Sequence, residues 1–197
     1  MTPIVLASAS PARITLLTAA GIAFTVKAAS INERAIEAPL LAAGATPAAI
    51  AAALADAKAV TVSRGQRRAI VIGADQTLEL DGRRFTKPAA IAEARDQLAG
   101  LRGRTHQLHT AVAAARDGAV VWRHRDHAQL TMRQLSDAAI DEYLARAGPS
   151  ALSSVGAYQI EGPGIQLFDK IDGDYFTILG LPLLPLLAFL RGEGAIA

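Results

Sequence analysis

Ala69-Ile-Val-Ile-Gly-Ala-Asp75 is the stretch on which the fold turns. A short apolar run of this kind predicts a strand buried on both faces, over residues 69–72, that closes on the single acid Asp75. Gln76-Thr-Leu-Glu-Leu-Asp-Gly82 follows, then Arg83-Arg-Phe-Thr-Lys87-Pro88. Asp81-Gly82 is a strong two-residue hairpin signal, so residues 77–80 and 83–85 are expected to pair as short strands. A carboxylate at a strand end is well placed for chemistry, because α/β sheets bind ligands beyond the carboxyl ends of their strands. The plainer reading is that Asp75 only caps a turn.

Upstream, Ile4-Val-Leu-Ala7 reads as a second buried strand and runs into Ser8-Ala-Ser-Pro-Ala-Arg13. Ser10 suits an N-cap and Pro11 the first helical position, so a helix is expected to residue 20, stopped by Gly21. Residues 22–26 look like a strand and residues 30–46 look irregular. Thr46-Pro47 opens an Ala-rich helix to about residue 63, with Ile50 and Leu54 on one face and Lys58 one i+4 step further.

Downstream, Pro88 precedes a helix over about 89–101. Asp117-Gly118 is a second hairpin signal between strands near 105–115 and 120–132. Ser136 caps a helix over 137–146 that Gly148-Pro149 ends. Residues 155–161 and 165–168 are expected to be extended, and a last helix begins near Pro182. Strands and helices mix without strict βαβ alternation, which predicts an α/β fold on a mixed sheet rather than a doubly wound one.

Composition narrows the function classes. The chain has 197 residues, 51% of them apolar, enough for a core that needs no staples. It has no cysteine, so disulfides, zinc–thiolate sites and thiol nucleophiles are excluded. A net charge of +2, from 20 basic and 18 acidic residues, is too balanced to argue for a nucleic-acid groove. The longest apolar run, from Ile178 to Leu190, is 13 residues with Pro182 and Pro185 inside it, too short to span a bilayer. The N-terminus has no basic n-region, and a cytoplasmic protein with no membrane partner is expected.

Arg13 falls in the first turn of its helix, where a cation opposes the helix dipole. An anion would resolve that conflict, with Ser8, Ser10, Arg13 and the free N–H groups converging on phosphate. The alternative is a solvated surface arginine. Lys58 could aim its charge into a cleft or snorkel past the core. His106 and His109, and likewise His124 and His127, are three apart on expected strands and face opposite sides, which speaks against a histidine metal site. No G-x-x-x-x-G-K-[ST], G-x-S-x-G or G-x-G-x-x-G occurs.

Taken together, Leu6-Ala-Ser-Ala-Ser-Pro11, Ala57-Lys58-Ala59, Gly73-Ala-Asp75, Asp81-Gly82, Lys87-Pro88, Gly156-Ala-Tyr-Gln-Ile-Glu-Gly162, Ile171-Asp-Gly-Asp174 and Gly180-Leu-Pro-Leu183 closely resemble the Maf family of nucleoside triphosphate pyrophosphatases. The resemblance runs from about residue 4 to residue 191. It implies a single domain over 1–197 with an elongated, mixed-sheet Maf/ITPase-like α/β fold of two lobes around a central cleft. It also implies a cytoplasmic homodimer that uses Mg²⁺ or Mn²⁺ to cleave a nucleotide between its α- and β-phosphates. By position, Asp75 would activate water, Ser8, Arg13, Lys58 and Lys87 would bind phosphate, and Glu33 with Asp75 would stand at the metal. Ala12, Gln76 and Glu161 would bear on the base. Asp75-Gln76 and Glu161-Gly-x-Gly-Ile165 look more like the branch acting on 7-methyl-GTP than the branch preferring dTTP and UTP. Ala12 replaces a usual arginine or tryptophan, Ile14 a common basic residue, and Phe85-Thr86 the usual Leu-Gly. A second reading is a non-catalytic nucleotide-binding regulator of cell division.

Overall fold

The computed structural model describes residues 2–197. Its strands are β1 (Ile4–Leu6), β2 (Thr25–Val26), β3 (Ile70–Leu80), β4 (Arg83–Phe85), β5 (Thr105–Arg116), β6 (Ala119–Met132) and β7 (Phe168–Asp172). Its helices are α1 (Pro11–Ala19), α2 (Glu33–Ala42), α3 (Pro47–Ser63), α4 (Ile91–Leu101), α5 (Asp137–Ala147), α6 (Tyr175–Ile178) and α7 (Leu183–Gly192). The strands form one sheet in the order β2-β1-β3-β5-β6-β7, with β4 paired to β3 off that path. β1 runs parallel to both β2 and β3, while β4 is antiparallel to β3 and β7 to β6. The mixed α/β sheet expected from the sequence is therefore present.

Two compact units divide the chain. The first holds residues up to Gln76 together with 109–126 and 174–197, and the second holds 77–108 and 127–173. In the first unit the two-residue period of the strands sorts side chains onto two faces. Ile70, Ile72, Ala74, Val112 and Ala114 face one way and pack with Leu17, Leu181, Leu186 and Leu190. Ala111, Ala113 and Ala115 face the other way and meet Ala51, Ala55 and Ala59 of α3. Small residues on both sides let the helix backbone lie close to the sheet. Gly73 is the extreme of this: a Cβ there would stand 2.3 Å from the Ala55 carbonyl oxygen and 2.6 Å from the Ala59 nitrogen.

In the second unit α4 packs on α5. Buried residues include Leu78, Leu98, Leu101, Leu108, Leu130, Met132, Ile140 and Leu144.

Four expectations need correction. β3 does not close at Asp75 but runs on to Leu80, because nothing between Gly73 and Asp81 breaks the extended pattern and 78–80 pair with β4. Residues 30–46 are not irregular: α2 spans Glu33–Ala42, with the Asn32 side chain accepting from the Ala35 N–H at 3.1 Å. None of its residues is fully buried and Pro39 lies inside it, although Ile36 and Leu40, one i+4 step apart, are partly buried and give it a one-sided apolar face. Residues 155–161 and 165–168 form no strand before Phe168. Short 3₁₀ turns occupy Val155–Ala157 and Pro163–Leu167, with Gly156 at φ 78° and Ala157 at φ 61° reversing the chain, and the strand begins at Phe168. The strand expected over 22–26 is confined to Thr25–Val26. Among the described residues no helix is long and apolar enough to cross a membrane.

Candidate active site

The alternation of β3 decides where its polar residues point. Gly73 and Asp75 share the face that meets α3, whereas Ala74 and Gln76 share the opposite face. Because α3 lies against Gly73, Lys58, one residue before the touching Ala59, reaches the carboxylate two residues along the strand. Its Nζ donates to Asp75 Oδ1 at 2.5 Å and stands 2.8 Å from Glu33 Oε1 on the first residue of α2. The side chains of Lys58 and Asp75 are 13% and 11% exposed, and that of Glu33 is 50% exposed. Asp75 is thus a mid-strand carboxylate in an ion cluster, not the cap of a turn.

Ser8 follows β1 and is buried. Its Oγ accepts from the Ser10 N–H and from Arg13 Nη1, both at 3.2 Å. Ser10 does occupy the N-cap of α1, but its hydroxyl makes no capping bond. Arg13 lies on the buried side of α1 with Leu16 and Leu17. Its Nε donates to the Gly180 carbonyl at 2.8 Å and its Nη1 to the Ala74 carbonyl at 2.7 Å. The guanidinium is neither a solvated surface group nor an unengaged phosphate hook. It ties the start of α1 to the residue before Asp75 and to the turn after α6.

Electrostatics follow from this packing. Burial raises the Asp75 carboxyl above its ordinary value, opposed by the charges of Lys58 and then Arg13 and by the Lys58 hydrogen bond, with Glu33 adding to the rise. Burial lowers the Arg13 guanidinium, and Asp75 followed by Glu33 opposes that. A carboxylate held closer to neutrality is a better proton acceptor near neutral pH than a free one.

Gln76 lies on the other face of the strand. Its Nε2 contacts Thr110 Oγ1 at 2.8 Å and the carbonyls of Thr177 and Ile178 at 3.1 and 3.0 Å. Thr110 Oγ1 also donates to the Thr177 carbonyl at 2.9 Å, and Thr177 Oγ1 lies 2.8 Å from Asp126 Oδ2. Asp174 caps α6 by accepting from the Thr177 N–H at 2.9 Å. Sequence reasoning missed Thr110, Thr177 and Asp126. Only Asp174-x-x-Thr177, a cap pattern that starts at the last residue of the Ile171–Asp174 motif, carried a local signal. Ala12 is half-buried in the first turn of α1. In the second unit, Lys87 and Glu161 are exposed.

Over residues 3–193 the chain matches the family described as Maf-like protein. The chain belongs to the Maf family. It is 56% identical over 193 residues to the 7-methyl-GTP pyrophosphatase of Rhizobium meliloti (strain 1021), covering 98% of this chain and 97% of that protein. It is 58% identical to the 7-methyl-GTP pyrophosphatase of Brucella suis biovar 1 (strain 1330), with the same coverage. Over 196 residues it is 53% identical to the nucleoside triphosphate pyrophosphatase of Caulobacter vibrioides (strain ATCC 19089 / CIP 103742 / CB 15), covering 100% of this chain and 98% of that one.

The donor set of this Maf site suits a hard cation. Among the described residues no cluster of three or more His, Cys, Asp or Glu side chains could hold a metal by itself. Glu33 and Asp75, however, turn one oxygen each toward the same ammonium. Mg²⁺ and its relatives take one or two carboxylates and complete their shell with substrate phosphate oxygens and water.

Proposed function

We propose that this Maf-family chain hydrolyses a nucleoside triphosphate to the monophosphate and pyrophosphate, favouring 7-methyl-GTP or another purine over dTTP and UTP. The observation that carries the proposal is the buried Asp75 with Lys58 and Glu33 at its carboxylate, in a chain whose relatives bear pyrophosphatase names. Asp75 takes a proton from a water molecule as that water's oxygen attacks the α-phosphorus. The bond from the α-phosphorus to the bridging oxygen breaks, and pyrophosphate leaves with the electron pair. The Lys58 ammonium offsets the charge that collects on the departing oxygens.

Ser8 and the N-terminus of α1 present hydroxyl and N–H groups to phosphate. Arg13 contributes positive charge from behind, while its bonds to the Ala74 and Gly180 carbonyls hold that helix start in place. Glu33 and Asp75 would hold a divalent cation, Mg²⁺ or Mn²⁺, which supplies Lewis-acid polarisation of the phosphoryl group when bound. The phosphate role of Lys87 and the base-reading roles of Ala12, Gln76 and Glu161 rest on the resemblance. So do the single domain over 1–197, the homodimer and the cytoplasmic location.

Pyrophosphate release measured against a panel of nucleotides, before and after dialysis with a chelator, tests the proposal. We expect turnover with purine triphosphates that chelation abolishes and Mg²⁺ or Mn²⁺ restores. Nucleotide binding with no pyrophosphate release from any member of the panel would overturn it and favour the regulator.

A further inference from the structure

We propose that Lys58 is a resident counter-ion of the metal carboxylates, one that a divalent cation displaces readily only when nucleotide phosphates receive the ammonium. Cation and nucleotide then bind cooperatively. The inference rests on the functional reading above and adds the order in which that site is filled.

Three observations carry it. First, Lys58 Nζ lies 2.5 Å from Asp75 Oδ1 and 2.8 Å from Glu33 Oε1, so the ammonium engages the oxygens that a hard cation needs. Two cations cannot share those oxygens at contact distance without strong repulsion. Second, the other cation of the cluster cannot take over. Arg13 is fixed by hydrogen bonds to Gly180, Ala74 and Ser8, whereas Lys58 ends a flexible four-carbon stem. Third, the cluster grades from solvent to interior: Glu33, at the start of α2, is half exposed, while Lys58 and Asp75 are nearly enclosed.

A cation arriving alone must displace an ammonium that holds two carboxylate oxygens, and only water replaces them as its partners. Phosphate oxygens supply a receptor for the ammonium, so nucleotide lowers the cost of admitting the cation. By linkage the cation must then tighten nucleotide by the same factor that nucleotide tightens the cation.

Mn²⁺ titration of the intact protein, read by the electron paramagnetic resonance of free Mn²⁺ at one fixed pH, tests this without turnover. It is run alone and with an α,β-methylene analogue of GTP, correcting for Mn²⁺ bound by free analogue. For the wild type we expect weak Mn²⁺ binding alone and a gain of roughly 10- to 100-fold with the analogue. Lys58→Met should bind Mn²⁺ alone about tenfold more tightly than wild type and show a smaller gain with the analogue. Lys58→Gln, which keeps a polar donor but no charge, should move the same way and serves if the methionine variant folds poorly by circular dichroism. Adding Glu33→Gln to either should reverse the tightening.

Mn²⁺ affinity without nucleotide that is unchanged or weaker in both folded Lys58 variants would overturn the exchange, since a lysine that only grips phosphate leaves that affinity alone. Tightening that survives Glu33→Gln would overturn it too, because the cation would then sit elsewhere. Failure of the enzymatic reading shows up separately, as absent pyrophosphate release by a wild type that still passes the Mn²⁺ test.

Discussion

Asp75 and His106 are both ionisable residues buried in long strands, and in both burial favours the neutral form. Their surroundings differ. Asp75 faces Lys58 and Glu33, with Arg13 nearby, so its charge is contested by neighbours that a substrate or cation can rearrange. His106 faces aromatic rings. Its Nε2 stands 2.7 Å from the Tyr158 hydroxyl, its ring tilts against Tyr158 and Phe168, and among the described residues its Nδ1 has no hydrogen-bond partner. Burial alone holds the imidazole down to about 4. A titratable group buried among mobile charges is poised for proton transfer, while one buried among rings is an anchor.

The sharpest break of this comparison is Asp75→Asn. The change keeps shape and removes the proton acceptor, so turnover should fall by about 10²- to 10⁴-fold in a protein with wild-type circular dichroism. Near-normal pyrophosphate release from a folded Asp75→Asn protein would put Asp75 in the same structural class as His106.

His106 should betray itself through stability and not through rate. Above the ordinary value of 6.5 the imidazole is neutral folded and unfolded, and contributes nothing to pH dependence. As pH falls from 6.5 to about 4, the unfolded chain binds a proton that the folded chain refuses. Stability is therefore lost across that window, by about 3 kcal/mol. His106→Gln keeps a polar partner for Tyr158 without titrating, so its denaturant-derived stability should fall less over the same range. Parallel pH profiles for the two proteins would refute the assignment.

A glycine pair tests the packing beneath the two regions. Gly73→Ala drives a Cβ into the α3 backbone and should cost about 1–3 kcal/mol. Turnover should fall with it, because α3 carries Lys58. Gly100→Ala, at an exposed position of α4 with nothing within 4 Å of the new methyl, should instead stabilise by about 0.5–1 kcal/mol. Thermal denaturation and pyrophosphate release on the two variants separate these outcomes.

The same contrast explains what the sequence made legible. The apolar runs at 4–7 and 69–72, the Asp-Gly turns and the Thr46-Pro47 helix start are local signals, and each marks an element that is present, although the strand starting near 69 runs on to Leu80. Lys58 and Asp75 could be picked out singly, but their contact depends on Gly73 admitting α3, which no local pattern reports. Arg13 was read as opposing its helix dipole; the acceptors that satisfy it, Ala74 and Gly180, are distant in sequence. The carbonyls of Thr177 and Ile178 that Gln76 Nε2 meets are likewise distant in sequence, so no local pattern reports them. Helix α2 is obscured by Pro39 within it, although Ile36 and Leu40 stand one i+4 step apart.

The smallest expected effect concerns the base. Glu161 is exposed, and its carboxylate can only accept hydrogen bonds. Guanine offers N1–H and N2–H to such an acceptor, and methylation at N7 adds a positive charge that favours it further. Ala12 cannot stack on that cation as a tryptophan would. Solvent screening then limits the carboxylate to the range of exposed charge pairs, about 0.2–1 kcal/mol, so Glu161→Gln should lower the kcat/KM ratio of 7-methyl-GTP to UTP by only about 1.4- to fivefold. Turnover at saturation should stay near wild type, since Asp75 is untouched. Ala12→Trp should move the ratio the other way by adding the missing face. A wild type that prefers dTTP and UTP, with a ranking unmoved by Glu161→Gln, would remove Glu161 from base recognition while leaving the chemistry at Asp75 where it is.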